Sequence, residues 1–547
     1  MAIRSSWRRR LRRGALALPL TAALAAAALS LSGCVAKPPA SATAGGSAST
    51  TLNVAAATAP TTLDPASQCT LQDSQLTSSL YVQLLQYDAK PADQGTTQID
   101  PTKVKPYFAK SWEASSDGKT YTFTLQSGWT FPDGKPMDAT AMKYSLERTN
   151  TINSCGSAII NDLYQSPNLI SSVDAPDATT LVIHLLHPDS AFLLAMATPA
   201  ASVVEPSLID ANGGIQAGKP NTWAASHSTG GGPFLMKSYT PGTSAVLSAN
   251  PDFKGDAPGS KTINVKWISS DPTLLLQAKN GQSDVTIGLA DNSAKSLEGA
   301  SDVKVVAYTG TANMQFLMPN NKAPWNNEKL REAVTYAIPY KDIADKVIDG
   351  FGKLYYGPIP PTMPGYAEQY SSAREQDVAK AKQLVADSGV KTPVNVTLTV
   401  LAGDNNQASI ATILQGSLKD IGINLTIQSL DASAWGDAVY NGKAQSALRL
   451  DGPAVFSAGY YLQYDEDCDS SYNTGHICVP ANTELLKTAR AATDEASSNA
   501  AYAQLTKNWV DVSPKAILYL DGSPVVINKS VSTFFWSPEI DMRTWKK

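Results

Sequence analysis

The chain has 547 residues, of which 43% are hydrophobic and 17% are charged, and its net charge is −4. This is the composition of a globular protein that is long enough for two or three domains with cores of their own. The mildly acidic balance argues against a nucleic-acid partner, because neutralising phosphates requires a basic surface.

The N-terminal segment has the composition of an export signal. Six arginines lie between residues 4 and 13, an apolar run covers Gly14–Leu31, and the sequence Leu31-Ser32-Gly33-Cys34 follows. A charged region, an apolar region and small residues in this order predict a secretory signal peptide over residues 1–33. The last four residues are similar to the lipobox of bacterial lipoproteins, which predicts acylation of Cys34. A transmembrane anchor or a signal without lipidation is the alternative, although the run is short for a span.

The segment after this cysteine predicts a tether. Residues 34–50 would comprise the acylated Cys34 and the stretch Val35–Thr50, which is rich in small residues, Pro, Gly and Ser. Such a stretch buries too little apolar surface to order itself. Acyl chains on Cys34 would hold the protein at the outer face of the cell membrane, or in the periplasmic space of a Gram-negative cell, each buried methylene adding ~0.8 kcal/mol.

The remaining cysteines are consistent with an oxidising compartment. Without Cys34, four are left, and an even number in an exported protein predicts disulfides. Cys468 and Cys478 are close enough in sequence to close a hairpin, and Cys69–Cys155 would then be the second bridge. Four cysteines allow three pairings, so the others stay open. Zinc binding is the rival interpretation, which the lack of a Cys-x-x-Cys motif and the scarcity of His disfavour.

Strand and helix patterns alternate along the rest of the chain, which predicts α/β domains. The predicted strands are Leu52–Ala55, Lys119–Leu125, Thr180–Leu185, Val394–Leu401 and Ile423–Ile427. The predicted helices are Asp138–Arg148, Glu328–Ala337, Asp342–Ile348, Asp377–Ser388 and Ser409–Asp420. Asp138 has an N-cap side chain at the start of its helix, and Gly389 is a typical C-cap after another.

Several blocks of this sequence resemble the family 5 (oligopeptide, dipeptide and nickel-type) substrate-binding proteins of ABC importers. The strongest is Ala109–Arg148, with its Ser-Trp-Glu, Asp-Gly-Lys-x-Tyr-x-Phe-x-Leu, Phe-x-Asp-Gly-x-Pro and Tyr-Ser-Leu-Glu-Arg elements. Thr62–Pro65, Gly231–Phe234 and Leu276–Asp284 support it, and the resemblance extends from Leu52 to Trp545. The aromatic residues of the strongest block are expected to form a core rather than to contact ligand.

The resemblance implies a periplasmic-binding-protein-like α/β fold (type II, cluster C) with two main lobes, a hinge and an inserted third domain. Lobe I would comprise residues 51–85, 208–314 and 513–547, domain II residues 86–207, and lobe III residues 315–512. Two connecting segments would form the hinge. Ligand would be enclosed between the lobes, because it contacts both of them only in the closed state.

The resemblance also implies where ligand binds. Relatives use backbone groups after the Leu-Asp-Pro motif and an aspartate in the later lobe that holds the amino terminus of a peptide. Here Ala454 falls where that aspartate is expected, and Asp451, three residues away, is the candidate substitute. Aromatic residues of lobe III could stack on a sugar, a ring or a peptide side chain, or could simply pack the lobe. The candidate ligand-binding residues are Cys69, Thr70, Leu71, Trp435, Asp451, Tyr460 and Tyr461.

Signals for catalysis or for a metal are weak. The four histidines form no metal-ligating motif, and no Gly-x-Ser-x-Gly nucleophile motif occurs. The acidic run Asp465–Asp467 is expected to be solvated rather than to bind a metal. We therefore expect no catalysis, no cofactor and no metal.

The predicted function is that of a monomeric lipoprotein that captures an oligopeptide or peptide-like solute and delivers it to an ABC permease and its ATPase. An oligosaccharide or another uncharged solute is the alternative ligand, because the usual aspartate is missing. A lipid-anchored hydrolase and a surface sensor are the alternative functions.

Overall fold

The computed structural model describes residues 50–161, 168–470, 472–492, 494–538 and 540–547. The predicted signal peptide, Cys34 and residues 35–49 of the predicted tether lie outside the described residues. None of the helices in these ranges has both the length and the apolar character needed to cross a membrane.

The described ranges contain twenty-one strands. They are β1 (Thr51–Ala56), β2 (Val82–Gln83), β3 (Leu85–Pro91), β4 (Thr97–Pro106), β5 (Ala109–Ala114), β6 (Thr120–Leu125), β7 (Ile170–Asp177), β8 (Thr180–Leu185), β9 (Ser202–Val203), β10 (Phe234–Thr240), β11 (Ser244–Ala249), β12 (Thr262–Trp267), β13 (Val285–Ile287), β14 (Val303–Ala307), β15 (Asn313–Leu317), β16 (Val394–Leu401), β17 (Ile423–Leu430), β18 (Ser446–Asp451), β19 (Ala516–Leu520), β20 (Pro524–Asn528) and β21 (Phe535–Trp536).

Fifteen α-helices lie in the same ranges. They are α1 (Ser74–Leu80), α2 (Ala139–Ile152), α3 (Cys155–Ile160), α4 (Phe192–Ala195), α5 (Pro206–Ala211), α6 (Asp271–Lys279), α7 (Asp291–Lys295), α8 (Glu328–Ala337), α9 (Tyr340–Lys346), α10 (Val378–Ser388), α11 (Asn405–Lys419), α12 (Ala432–Tyr440), α13 (Ala458–Asp465), α14 (Pro480–Ala491) and α15 (Glu495–Val512). Short 3₁₀ turns occur at Pro65–Ser67, Asp93–Gly95 and Pro199–Ala201.

The predicted elements are confirmed to within a few residues, because their signals are local. The carboxylate of Asp138 accepts a hydrogen bond from the backbone N–H of Ala141 and caps α2. Asp377 caps α10 in the same way, and Gly389 ends that helix with a left-handed backbone (φ 69°). Capping side chains and a C-terminal glycine satisfy the backbone groups that a helix leaves unpaired at its ends.

Lobe I is built on a seven-stranded sheet in the order β10-β11-β12-β1-β13-β20-β14. Strand β1 lies inside it, parallel to both β12 and β13. Leu52, Val54 and Ala56 of β1 pack into one core cluster, while Ala55 packs with α6 and α7 on the opposite face. This strand is buried on both faces, as expected for a parallel strand covered on each side.

Lobe III is built on a five-stranded sheet in the order β17-β16-β18-β15-β19. Strand β19 pairs with β15 and is buried along its length. Residues 513–520 therefore lie with lobe III, whereas the sequence prediction assigned them to lobe I. The chain passes between the two sheets at residues 308–312 and 521–523, between β14 and β15 and between β19 and β20.

Domain II contains the four-stranded antiparallel sheet β5-β6-β8-β7. Tyr121, Phe123, Trp129 and Phe131 are buried in its core, which confirms that these aromatic residues are structural. The same cluster contains Val455, Phe456 and Tyr460 from lobe III. Domain II thus packs directly against the segment that follows β18, and this contact positions one wall of the cavity described below.

Candidate functional site

A cavity of about 620 Å³ lies where lobe I, domain II and lobe III meet. Its size is within the range of small-molecule and peptide sites. The residues that line it are Gln68, Cys69, Thr70, Leu71, Gln72, Ser74, Cys155, Ala158, Ile159, Thr198, Ala312, Tyr440, Leu450, Asp451, Gly452, Pro453, Ala454, Tyr460, Tyr464 and Tyr472.

The lobe I wall is held by a buried ion pair between two blocks of the sequence. Nη1 and Nη2 of Arg148 donate to Oδ1 and Oδ2 of Asp64, at 2.8 and 2.6 Å. Asp64 also caps the turn Pro65–Ser67 by accepting from the N–H of Ala66. Because the cavity wall begins at Gln68, this pair fixes the point from which the wall extends.

The backbone of this wall is organised by Asp73. Its Oδ2 accepts from the backbone N–H groups of Cys69 and Thr70, both at 2.9 Å, and its Oδ1 accepts from Thr61. Those two N–H groups are therefore bound within the protein. The resemblance implied that an extended peptide pairs with the backbone of this stretch. Because these two N–H groups already donate to Asp73, they are not free to pair with such a peptide.

One of two disulfides connects neighbouring parts of the site. Cys69 and Cys155 are joined, with a Sγ–Sγ distance of 2.03 Å, and both line the cavity. Cys468 and Cys478 form the second disulfide. A Cβ on Gly156 would lie 2.6 Å from the carbonyl oxygen of Ala66, so α3 approaches the turn at Pro65–Ser67 as closely as only glycine permits.

The lobe III wall follows the end of β18. Asp451 ends the strand, and Gly452, Pro453 and Ala454 continue along the cavity. Four tyrosines surround this segment, and the rings of Tyr464 and Tyr472 stack at 5.3 Å. These tyrosines are Tyr440, Tyr460, Tyr464 and Tyr472.

Asp451 is the only charged side chain among the described residues that line this cavity. Its Oδ2 accepts from Nη2 of the fully buried Arg449 at 3.1 Å, and its Oδ1 accepts from the hydroxyl of Tyr464 at 3.3 Å. Arg449 also donates to Asp465 and, at 2.8 Å, to Thr474. Asp451 is thus the member of a buried polar network that lines the cavity.

The network continues away from the cavity. Nζ of Lys515 contacts Asp465, and it lies 2.8 Å from Oε1 of Glu466. Asp465 and Glu466 are buried, so the prediction of a solvated acidic run is wrong for these two residues. They are buried because Arg449 and Lys515, which lie far away in sequence, supply the positive charge that a buried carboxylate requires.

The pKa values reflect this environment. Burial raises the pKa of Asp451 to about 6, against the attraction of Arg449. Burial also raises the pKa of Glu466 to about 7, against the attraction of Lys515. For Asp465, burial acts to raise the pKa, but Arg449 and Lys515 together outweigh it and hold the pKa below its ordinary value.

Five of the seven predicted ligand-binding residues line the cavity, and two do not. Tyr461 is buried below it, where its hydroxyl accepts hydrogen bonds from Asn313 and Gln315. Trp435 packs in a small cluster on α12, and its ring meets that of Tyr440 edge-on at 5.9 Å. The residues of the wall named by the prediction are Cys69, Thr70, Leu71, Asp451 and Tyr460.

Sequence reasoning missed the remaining tyrosines of the wall and the whole contribution of α3. The pairing of Cys69 with Cys155 was the available signal for α3, because it places this helix beside the wall after the Leu-Asp-Pro motif. Tyr440 and Tyr464 lie at the ends of α12 and α13, and Tyr472 lies in a loop, so no local pattern indicates that they converge.

A second cavity of about 290 Å³ adjoins the first and shares Leu71, Gln72 and Leu450 with it. Asp291 of lobe I and Asp521 of the connecting segment line it. Oδ2 of Asp291 accepts from the amide of Asn406 in lobe III at 3.3 Å. Burial, followed by the negative charge of Asp521, raises the pKa of Asp291 to about 8.

Within the described ranges, no group of three or more His, Cys, Asp and Glu side chains is arranged to hold a metal ion. The cavity wall presents hydrogen-bonding groups, one carboxylate and aromatic rings, which suit reversible binding of an organic solute.

A sequence model of the bacterial extracellular solute-binding proteins, family 5 Middle, matches residues 103–473. The chain belongs to this family. As a family 5 protein it is an extracytoplasmic solute-binding protein of ABC importers and not an enzyme.

Known relatives cover most of this family 5 chain. The Probable D,D-dipeptide-binding periplasmic protein DdpA of Escherichia coli (strain K12) is 30% identical over 489 residues, which are 88% of this chain and 90% of that protein. The glutathione-binding protein GsiB of Salmonella paratyphi A is 26% identical over 370 residues, which are 67% of this chain and 69% of that protein.

Solved structures share the fold. The periplasmic binding protein DppA of Helicobacter pylori, in complex with the peptide STSA, superposes with a TM-score of 0.78 at 22% identity, over 91% of this chain and 98% of that one. The predicted fold class is thereby confirmed.

Proposed function

We propose that this protein captures a short peptide or peptide-like solute with a free amino group in the cavity between its lobes, and delivers it to an ABC permease and its ATPase. The names of the relatives support this class of solute, since they refer to a D,D-dipeptide, to glutathione and to a bound peptide. The extracytoplasmic location of the family is consistent with such a role.

The observation that carries the proposal is a charge imbalance in the network behind Asp451. Its cations are Arg449 and Lys515, and its carboxylates are Asp451, Asp465 and Glu466. Three carboxyl groups share two cations in a buried environment, where an uncompensated negative charge is costly, and the raised pKa values of Asp451 and Glu466 reflect this excess of carboxyls. Asp451 is the member that reaches the cavity, so an ammonium group of the solute would balance the network there.

This role for Asp451 also explains how the chain can bind an amino group although Ala454 stands where the aspartate of its relatives is expected. Both residues line the same cavity wall, three positions apart, on the segment that leaves β18. A carboxylate at Asp451 reaches the solute from the strand end instead of from the loop. The hydroxyl of Tyr464 donates a hydrogen bond to Oδ1 of Asp451 and so helps to orient this carboxylate.

The test is calorimetric titration of a short peptide and of its N-acetylated form into the wild type and Asp451→Asn. We expect Asp451→Asn to weaken the free-amine peptide at least tenfold, because a desolvated charge pair is lost. The acetylated peptide should bind the two proteins equally. The matched control is Asp345→Asn, which removes an exposed carboxylate from α9. Equal affinity of wild type and Asp451→Asn for the free-amine peptide would remove this residue from the site.

The direction of the pH dependence follows from the same carboxyl. Since the pKa of Asp451 is raised to about 6, protons compete with a cationic solute below that pH. Affinity for a free-amine peptide should therefore fall as the pH is lowered from 7.5 to 5, and this fall should be absent in Asp451→Asn. An unchanged affinity over this range would contradict the proposed pairing.

An uncharged oligosaccharide is the second candidate solute. The observation that favours it is the set of four tyrosines in the wall, because aromatic rings stack on sugar faces. A panel of cello-oligosaccharides in the same titration distinguishes the two. Binding of sugars alone would keep the transport role and replace the peptide.

The proposal includes a lipid anchor at Cys34, delivery by a monomer and a location at the outer face of the membrane. Export of the wild type and of Cys34→Ser tests the anchor. The wild type should sediment with membranes, and Cys34→Ser should appear in the soluble extracytoplasmic fraction. Membrane association of both proteins would refute acylation as the anchor.

A further inference from the structure

Three of the seven large apolar side chains that are exposed in the described part of the chain line one cavity. Among the described residues, Leu71, Tyr440 and Leu450 are 38, 44 and 45% exposed, and all three line the main cavity. Large apolar surfaces that stay accessible in one concave place mark binding sites, because covering them is favourable. The side chains outside the cavity with comparable exposure include that of Leu276 on α6.

The exposure of Leu450 is not a consequence of lying on a solvated strand. Strand β18 is paired on both sides, with β16 and with β15. Leu448 is on the same face of β18 and is fully buried, and the residues of the strand other than Leu450 are buried as well. Leu450 is therefore the one exposed residue of this strand, and it directly precedes Asp451.

The three side chains come from opposite walls. Leu71 belongs to lobe I, while Tyr440 and Leu450 belong to lobe III. Leu71 and Leu450 also line the adjoining second cavity, so both stand at the junction of the two cavities. The ring of Tyr440 is held edge-on by Trp435 at 5.9 Å, which makes Trp435 a positioning residue behind the wall.

We propose that Leu71, Tyr440 and Leu450 form an apolar clamp that selects peptides with a bulky aliphatic or aromatic side chain close to the amino group held at Asp451. This inference rests on the peptide-binding function proposed above and adds the class of side chain. An apolar group between the two lobes is covered from both sides, so it also favours the closed arrangement.

The expected size of the preference follows from the area covered. Each methylene buried in an apolar environment contributes about 0.8 kcal/mol, which is about a fourfold gain in affinity. A peptide that carries Leu or Phe should therefore bind at least tenfold more tightly than the same peptide with Ser at that position.

The experiment is a calorimetric titration series with dipeptides that have a free amino group. One residue of each dipeptide is Ala, and the other, in the first or the second position, is Ala, Ser, Val, Leu or Phe. For the wild type we expect affinity to rise with the apolar size of the side chain at one of the two positions. Leu450→Ser and Leu71→Ser should lower the affinity for the Leu dipeptide at least tenfold and that for the Ser dipeptide less than twofold. Tyr440→Ala should reduce the preference for Phe most.

Leu276→Ser is the matched control, since it makes the same change at a leucine that is 52% exposed and lines neither cavity. It should leave the whole series unchanged. Melting temperatures of all variants should match that of the wild type, because the substituted side chains are exposed.

The outcomes separate this inference from the proposed function. Peptide binding without dependence on side-chain size, or a dependence that survives in Leu450→Ser and Leu71→Ser, overturns the clamp and leaves the peptide function intact. Absence of binding by every dipeptide and by longer peptides at millimolar concentration overturns both. A size dependence that is lost in the cavity variants and kept in Leu276→Ser supports the clamp.

Discussion

The ion pair between Asp64 and Arg148 provides a sharp test of how this fold is held together. Both side chains are 1% exposed, and the guanidinium binds both carboxylate oxygens. Replacement of Arg148 by Met keeps most of the apolar stem but leaves a buried carboxylate without its cation. Asp64 then keeps the hydrogen bonds that it accepts from Ala66 and Ser67 in the turn that it caps.

Removal of one partner from a buried ion pair costs about 3–5 kcal/mol, because the remaining charge stays desolvated. For a folded body of roughly 500 residues the unfolding entropy is about 1 kcal/mol/K, so this loss lowers Tm by roughly 3–5 °C. The double variant Asp64→Asn/Arg148→Met leaves no unpaired charge. Its Tm should therefore lie above that of Arg148→Met alone.

The assay is differential scanning calorimetry of the wild type, both single variants and the double variant, which together form a thermodynamic cycle. Lys341→Met is the control, since Lys341 and Asp345 form an exposed pair on α9 and such pairs contribute about 0–1 kcal/mol. The reasoning is refuted if Arg148→Met melts within 1 °C of the wild type, or if the losses of Asp64→Asn and Arg148→Met simply add.

Three further predictions concern stability. The pKa of Asp291 is raised to about 8, so this carboxyl favours the folded state below its ordinary pKa and destabilises it progressively as the pH rises toward 8. The Tm of the wild type should therefore fall between pH 5 and 8, and this fall should be smaller in Asp291→Asn but unchanged in the control Asp345→Asn. Parallel plots of Tm against pH for the wild type and both variants would contradict this. A Cβ on Gly232 would lie 2.6 Å from a backbone carbonyl carbon at the end of α1. Gly232→Ala should cost about 1–3 kcal/mol by overpacking, and an unchanged Tm in scanning fluorimetry would show that the close approach is relaxed without cost. Replacing both Cys69 and Cys155 by Ser opens a loop with a sequence separation of 86, which should destabilise the protein by about 4–5 kcal/mol in urea denaturation. The same variant should bind solute more weakly because both sulfurs line the cavity, and full affinity would mean that the wall keeps its shape without the bridge.

The sequence by itself determined the local elements and the class of protein. The helix Glu328–Ala337 and the strand Val394–Leu401 were predicted with the bounds that the structure shows. Periodicity, caps and turn residues lie within the element that they specify, so a linear pattern is sufficient. The block Ala109–Arg148 was sufficient for the family resemblance, and its aromatic residues proved to be core, as expected.

Tertiary structure alone decided the lobe to which β19 belongs, the burial of Asp465 and Glu466, and the convergence of the cavity residues. Strand β19 is an apolar run that either sheet could bury, and its pairing with β15 selects lobe III. Asp465 and Glu466 form a charged run whose sequence is typical of a protein surface. Lys515 pairs with both carboxylates in the folded protein and allows them to be buried. In each case the deciding partner is dozens to hundreds of residues away. Burial and charge compensation depend on which distant residues meet, and no local pattern contains that information.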